Sequence, residues 1–342
     1  MKTKFGILGL AVVLTFTASS CGGGGQDGQE GSSTTAMTTG NPAIDGLSTE
    51  IAQNPNDAEL YAERGRLFYE NDGFDEAIRD LDKALSLDST NVDYLHLLAD
   101  VYLDYFQSRR GLKTMERAAE LYPDRIPTLL KLSEFQLILK QYEESMKTID
   151  RILKIDPQNA EAFFMFGMNF KERGDTVRAI NSFQKAVEYD SDLVDGWINL
   201  GQLYATLGDP LAMRYFDNAI RVAPENIHAL HARADYLSDT GKLPEAIEMY
   251  RRISRVDPQY EEAYFNSGLI YMDMDSIEQA RKQFDIAIQT SPTHIRAYYF
   301  RGLAQEMLGN EQAAKADYEQ ALRLAPNFEK AQEGLDRVKK AG

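Results

Sequence analysis

Between residues 58 and 328, large and small apolar residues recur with a period of about 34 residues. Within each period the apolar positions fall three and four residues apart, which is the spacing of one face of an α-helix. Each period holds two such runs, and a short polar turn separates them. The pattern therefore predicts a chain of repeated helix pairs.

The period divides this part of the chain into eight units. Seven units have 34 residues, and the fifth has 33 because its turn near Asp209 and Pro210 is one residue shorter. The predicted units are 58–91, 92–125, 126–159, 160–193, 194–226, 227–260, 261–294 and 295–328.

Small residues hold the eighth position of every unit: Gly65, Ala99, Ser133, Gly167, Gly201, Ala234, Gly268 and Gly302. The twentieth position is also small, as at Ala179, whereas the fourth is large, as at Phe163 and Trp197. Two helices can approach closely only where one of them lacks bulk, so these positions predict the contact between the helices of each pair.

Glycine and proline mark the turns. Glycine follows the first helix in four units, at Gly174, Gly208, Gly241 and Gly309, where we expect a left-handed residue that ends the helix. Proline, which cannot continue a helix, closes six units at Pro123, Pro157, Pro224, Pro258, Pro292 and Pro326.

This period and these positions resemble the tetratricopeptide repeat (TPR) over residues 58–328. The resemblance implies an all-α fold, a right-handed superhelix of antiparallel helix pairs with a concave inner groove. It also implies a scaffold or adaptor that binds a protein partner in that groove without catalysis. Because end repeats expose an apolar face, we expect capping helices at residues 41–57 and 329–342.

The N-terminus has the features of a secretory signal. Residues 1–20 contain a basic start and an apolar run that is too short to span a membrane. Cys21 follows Ala18, Ser19 and Ser20 and resembles the lipobox of bacterial lipoproteins, which implies attachment of diacylglycerol and a further acyl chain such as palmitate to Cys21. The alternative is an ordinary cleaved signal and a soluble secreted protein.

Residues 21–40 are rich in glycine, serine and threonine and cannot form a core. We predict that they form a flexible tether that holds the repeats off a membrane. The lipoprotein resemblance implies a cell-envelope location at the outer membrane, facing the periplasm, and leaves surface display open.

The amino-acid composition limits the classes of molecule that the protein is expected to bind. The formal net charge is -16, which argues against nucleic acid and against charge-driven docking on anionic lipid, and favours basic partners. We therefore predict a protein or peptide segment with basic or amphipathic character, no nucleic acid, and membrane contact only through the lipid anchor. The chain has one cysteine, so it has no internal disulfide.

The chain lacks a glycine-rich phosphate loop and the GxSxG and HExxH motifs. We predict that it is not an enzyme and holds no cofactor. His228, His231 and Asp235 share one helix face, but two histidines and one carboxylate are a weak metal set, so we also predict no metal site.

TPR proteins bind partners mainly through the second, fifth, ninth, twelfth and thirteenth positions of the first helix. The fifth positions hold no lysine and the ninth hold no asparagine, so the carboxylate clamp of the chaperone co-factors is absent. The predicted partner-binding groove residues are Leu130, Leu137, Phe164, Met165, Met168, Phe265, Leu269, Met272, Tyr299 and Leu303. A frame error of one position would instead place some of them in the core.

Two other functions fit the sequence. A solenoid can self-associate as a structural component of an envelope assembly. Aromatic groove residues such as Phe164 and Tyr299 also permit binding of cell wall or other glycans.

Overall fold

The computed structural model describes residues 39–341, with side chains to residue 340. The predicted signal, Cys21 and nearly all of the predicted tether lie outside these residues. Within them the chain forms eighteen α-helices and no strand. The helices are α1 Pro42–Gln53, α2 Ala58–Glu70, α3 Phe74–Leu87, α4 Val92–Asp104, α5 Ser108–Leu121, α6 Ile126–Ile138, α7 Tyr142–Ile155, α8 Ala160–Glu172, α9 Thr176–Tyr189, α10 Val194–Thr206, α11 Leu211–Val222, α12 Ile227–Asp239, α13 Leu243–Val256, α14 Glu261–Asp273, α15 Ile277–Thr290, α16 Ile295–Met307, α17 Glu311–Leu324 and α18 Glu329–Ala341.

The helices form consecutive pairs. In each unit the first helix (α2, α4, α6, α8, α10, α12, α14 or α16) packs on the second helix that follows it, and each second helix packs on the first helix of the next unit. This arrangement confirms the predicted all-α solenoid. Across residues 39–341, every helix is either too short or too polar to cross a bilayer.

The small eighth position sets the spacing within each pair. A Cβ atom added to Gly167 would lie 2.5 Å from Cδ1 of Phe183, whose ring is fully buried on the second helix. Gly201 meets Phe216 and Gly268 meets Phe284 at the same distance. A phenyl ring therefore packs directly on the backbone of the first helix, which explains why glycine occupies this position.

The turn inside each unit has one backbone conformation. The fifteenth residue has a positive φ in all eight units, in four cases at the predicted glycines and in four at Asp72, Phe106, Lys140 and Asp275. The next N–H then donates back to the first helix, as from Asp175 to the Phe170 carbonyl at 2.8 Å. The left-handed residue therefore belongs to the repeat, whether or not glycine is present.

Side chains also hold the turns between units. The same arginine position donates to a carbonyl in the preceding inter-unit turn three times: Arg117 to Ser89 at 2.6 Å, Arg151 to Pro123 at 3.0 Å and Arg252 to Pro224 at 3.0 Å. From the fourth position, Trp197 donates through Nε1 to the Ser191 carbonyl at 2.8 Å. These bonds satisfy backbone groups that the helices leave unpaired.

A helix covers each end of the array. Helix α1 buries Ile44 and Ile51, and helix α18 buries Ala331, Leu335 and Val338. The outward positions of α18 are mostly charged or amide residues. Both helices remove apolar surface from water that an end repeat would otherwise expose.

Candidate functional site

The first helices of neighbouring units meet along one surface. We call it the first-helix face and define it by the second, fifth, sixth, ninth, twelfth and thirteenth positions of the eight units. Polar contacts join these positions across unit boundaries: Lys131 to Asp100, Lys171 to Asn199 and Gln202, Asn266 to His231, and Tyr69 to Asp104. The face therefore runs continuously across the units.

Three of the ten predicted groove residues are buried, so the prediction that they line an open groove is wrong. They are Phe164, Met165 and Phe265. Phe265 has no exposed surface and packs its ring 5.8 Å from that of Phe284 and 5.7 Å from that of Phe300.

For the two phenylalanines, the reason lies in the packing of the helix pair. In units four and seven the second helix places a phenyl ring over the glycine at position eight. A phenylalanine at position five then packs on that ring, as Phe164 does on Phe183 at 5.5 Å between centroids. The fifth position thereby becomes part of the core wherever this arrangement occurs.

The other seven predicted groove residues are half-buried on the first-helix face. They form two sets, one in units three and four and one in units seven and eight: Leu130, Leu137 and Met168, and Leu269, Met272, Tyr299 and Leu303. Contact with a partner stays a prediction for these residues.

Units two and three carry partly desolvated charges. The Lys131 ammonium lies 2.5 Å from Asp100, yet burial still raises the pKa of that carboxyl above its ordinary value. Burial, assisted by the charge of Lys131, lowers the pKa of His96 to about 4, so this imidazole is neutral at pH 7. Burial also raises the pKa of Glu134, a half-buried residue that has no hydrogen bond or ion pair with any residue in the described part of the chain.

A lysine that the sequence analysis passed over lies between units four and five. Lys171 donates to Oδ1 of Asn199 at 2.7 Å and to Oε1 of Gln202 at 3.2 Å. Burial lowers its pKa. The signal for it was present, because Lys171 holds the twelfth position of its unit, one of the binding positions of TPR proteins.

Of the two histidines considered for metal binding, His231 is engaged in hydrogen bonds within the chain. Nε2 of His231 accepts from the Asn266 amide at 3.3 Å, so Nδ1 carries the proton toward Asp235 at 3.1 Å. Tyr250 donates to the other oxygen of Asp235. His228 is exposed, and residues 39–340 hold no group of three or more acidic, histidine or cysteine side chains placed to bind a metal.

Family models match the repeats directly. A TPR repeat model matches residues 167–208, and tetratricopeptide repeat models match residues 126–159, 231–273, 261–294 and 295–328. The chain is a tetratricopeptide repeat protein. The family is generally non-catalytic and its members bind peptide or protein partners. The first-helix face is therefore the candidate binding surface.

Curated relatives of this TPR protein are distant. It is 23% identical to the Hsp70-Hsp90 organizing protein of Triticum aestivum over 239 residues, which cover 66% of this chain and 40% of the relative. It is 24% identical to the CTR9 homolog of Arabidopsis thaliana over 213 residues, or 59% of this chain and 20% of the relative. The chain thus spans well under half of either protein.

Solved structures support the fold. The C-terminal part of a TPR repeat-containing protein from Cytophaga hutchinsonii superposes with a TM-score of 0.55 at 16% identity, covering 72% of this chain and 99% of that one. The APC/C hetero-tetramer Cut9-Hcn1 gives a TM-score of 0.52 at 16% identity over 86% of this chain and 58% of that chain. At this identity the likeness concerns the fold alone.

Proposed function

We propose that this TPR protein is a non-catalytic scaffold that binds a segment of a partner protein on its first-helix face. The observation that carries the proposal is the pair of half-exposed apolar sets in units three and four and in units seven and eight. Folding of the helix pairs does not require apolar residues there, since other units hold charged or amide residues at the same ninth position. Partly exposed apolar groups that the fold does not require are typical of partner-binding surfaces.

The partner segment is proposed to be basic or amphipathic. The first-helix face exposes carboxylates at Glu59, Asp93, Asp104, Asp239 and Asp273. The whole chain has a net charge of -16, which attracts basic segments and repels acidic ones at long range. Apolar side chains of the segment would then pack on the two apolar sets.

The scaffold is proposed to be a lipoprotein of a bacterial envelope, anchored through Cys21 and placed at the outer membrane. The support is the sequence alone: an apolar N-terminal run, a single cysteine directly after it, and a glycine-rich stretch. Two hydrophobic chains or more give stable membrane anchoring, which one chain does not. The repeats would then face the periplasm.

Site-specific photocrosslinking in cells tests the binding face. A photoreactive phenylalanine analogue replaces Tyr299 or Leu137 on the first-helix face, and Leu207, an exposed residue of an intra-unit turn, serves as the control. We expect both face positions to crosslink to the same partner protein and Leu207 to give none of that product. Equal crosslinking from all three positions would refute the groove, and adducts containing only this chain would establish self-association instead.

A further inference from the structure

Lys171 is a half-buried cation without a salt bridge, and the adjacent Glu172 favours its charge without ion-pair contact. Its ammonium contacts two side-chain amides, and no carboxylate among the described residues lies within ion-pair distance of it. Several other half-buried cations of this acidic chain do have such partners, as Lys131 has Asp100 and Arg233 has Asp217. A partly buried charge that lacks a salt bridge destabilises the fold. An anion bound from outside the chain would therefore stabilise Lys171.

The hydrogen-bond donors around Lys171 are placed so that they can bind an anion. An ammonium has three N–H donors and cannot accept, so the amide oxygens of Asn199 and Gln202 must face it. Two donors of Lys171 are therefore used and the third is left. The Asn199 amide nitrogen donates to the Asp195 carbonyl at 2.9 Å, which fixes that side chain. Gln202 is an exposed residue, and its amide nitrogen has no partner in the described part of the chain.

Apolar and acidic groups adjoin this site along the first-helix face. Met168 lies one helical turn before Lys171, and Leu137 holds the twelfth position of the preceding unit. Beyond them Glu134, at the ninth position of unit three, is half-buried and has no salt bridge, because the cation nearest to it in the electrostatics, Lys131, is bound to Asp100. A cation and an anion that both lack a salt bridge thus lie in adjacent units, with apolar residues at neighbouring positions of the first-helix face.

We propose that Lys171 and Gln202 bind a carboxylate of the partner segment, and that Glu134 binds a cation of the same segment. This inference rests on the proposed function. It gives the partner a polarity, with a basic residue at unit three, a short apolar stretch, and a carboxylate at units four and five. The two opposite charges fix the direction in which the segment lies along the solenoid.

The site differs from the carboxylate clamp that the chain lacks. Here the lysine holds the twelfth position of one unit, and its two amides hold the sixth and ninth positions of the next. A lysine with one free donor beside one free amide can contact both oxygens of a single carboxylate. Either an Asp or Glu side chain or a chain terminus supplies that group.

Random peptide libraries displayed on phage test the proposal. The full chain, purified in detergent, is panned against one library whose peptides end in a free carboxylate and against another whose peptides are fused at both ends. Lys171→Met and Glu134→Gln are panned in parallel, and Lys154→Met, which removes an exposed lysine of α7, is the matched control. The sequences selected by each variant are then compared.

We expect the wild type and Lys154→Met to select peptides in which an apolar stretch separates a basic residue from a carboxylate. All selected peptides should have the basic residue on the same side, either N-terminal or C-terminal to the carboxylate. Lys171→Met should lose the carboxylate and Glu134→Gln the basic residue. Enrichment in the fused library identifies a side-chain carboxylate, and enrichment confined to the other library identifies a terminus. Binders that lack any carboxylate preference would overturn this inference alone, whereas failure to select binders would overturn the proposed function with it.

A stability measurement separates binding from structure. If Lys171 served the fold, Lys171→Met would lower the thermal midpoint. We expect a midpoint equal to or above that of the wild type, because the substitution removes a partly desolvated charge that has no salt bridge. A synthetic peptide taken from the selection should bind Lys171→Met about tenfold more weakly, the factor for one charge-assisted hydrogen bond. The same peptide with Asn in place of Asp should bind the wild type and Lys171→Met equally. A difference between them would contradict the contact between Lys171 and the carboxylate.

Discussion

Replacement of Gly167 by alanine is the sharpest test of the close helix contact. The added Cβ would lie 2.5 Å from both Cδ1 and Cε1 of Phe183. Carbon atoms in contact are normally about 3.5–4.0 Å apart, so the ring must retreat by about 1 Å. Phe183 is fully buried, and its ring is packed against Phe164. A shift of the ring must therefore displace its neighbours in the core.

Two opposing contributions set the magnitude. Overpacking of a close-packed core costs about 1–3 kcal/mol. Alanine in place of a helical glycine gains about 0.5–1 kcal/mol from backbone entropy and propensity. The net expectation for Gly167→Ala is therefore a loss of up to about 2.5 kcal/mol, with a central value of about 1 kcal/mol.

Gly46→Ala provides a control with the opposite sign. Gly46 lies inside helix α1, and no atom lies within 4 Å of the position that its Cβ would take. Only the entropic gain remains there, so Gly46→Ala should stabilise its helix by about 0.5–1 kcal/mol. The same substitution, glycine to alanine, is thus predicted to lower the free energy of unfolding at Gly167 and to raise it at Gly46.

The assay is urea unfolding followed by circular dichroism, together with hydrogen exchange resolved to α8 and α9. Exchange is required because the units of a repeat array open partly independently. Gly167→Ala should lower the midpoint and the protection of α8 and α9, and a further Phe183→Leu change should restore part of the loss. If Gly167→Ala raised the midpoint as Gly46→Ala does, the packing of the ring on the helix backbone would be refuted.

Three further predictions concern the turns, the C-terminal cap and the anchor. Lys140→Gly should raise the free energy of unfolding by about 1 kcal/mol, because the φ of 57° at Lys140 costs a residue with a side chain about that much; an unchanged midpoint in a urea titration would contradict this. Arg337 and Tyr318 donate to Glu306 and lower its pKa, so this contact is fully formed above the ordinary value of 4.5 and is lost as pH falls through the lower folded value. Exchange protection of α18 should fall over that acidic range in the wild type, and Glu306→Gln should show low protection at every pH. Cys21→Ser should move the protein from the membrane to the soluble fraction, and its retention on membranes would disprove the lipid anchor.

The fold was accessible from the sequence because each unit repeats the same physical requirement. A small residue at position eight and a bulky one on the second helix, as in Gly167 and Phe183, specify one packing arrangement eight times. The conformation of the intra-unit turn could be predicted only in part. In four units a glycine indicates the left-handed residue. Phe106 and Lys140 adopt the same conformation because packing of the helix pair outweighs its local cost of about 1–2 kcal/mol.

The first-helix face was harder to predict because position along one helix does not determine burial. Phe265 holds a binding position by its place in the unit, yet the ring of Phe284 covers it. The sequence contained the necessary clue, since both units with a phenylalanine at position five also have glycine at position eight and phenylalanine on the second helix. Lys171 was missed for the opposite reason. Its amide partners come from the next unit and are 28 and 31 residues away.

This division of positions explains how one fold can serve a specific partner. The ninth positions are Arg66, Asp100, Glu134, Met168, Gln202, Asp235, Leu269 and Leu303. They differ in charge and polarity, yet the helix around each of them is unchanged, so packing of the pairs imposes little on this position. Partner choice is therefore free to vary at positions nine and twelve, while positions five and eight are tied to the core wherever a second-helix ring reaches them. A substitution such as Met168→Asp should consequently alter partner binding with little loss of helix, whereas Phe164→Ala should open a cavity beside Phe183 and reduce stability first.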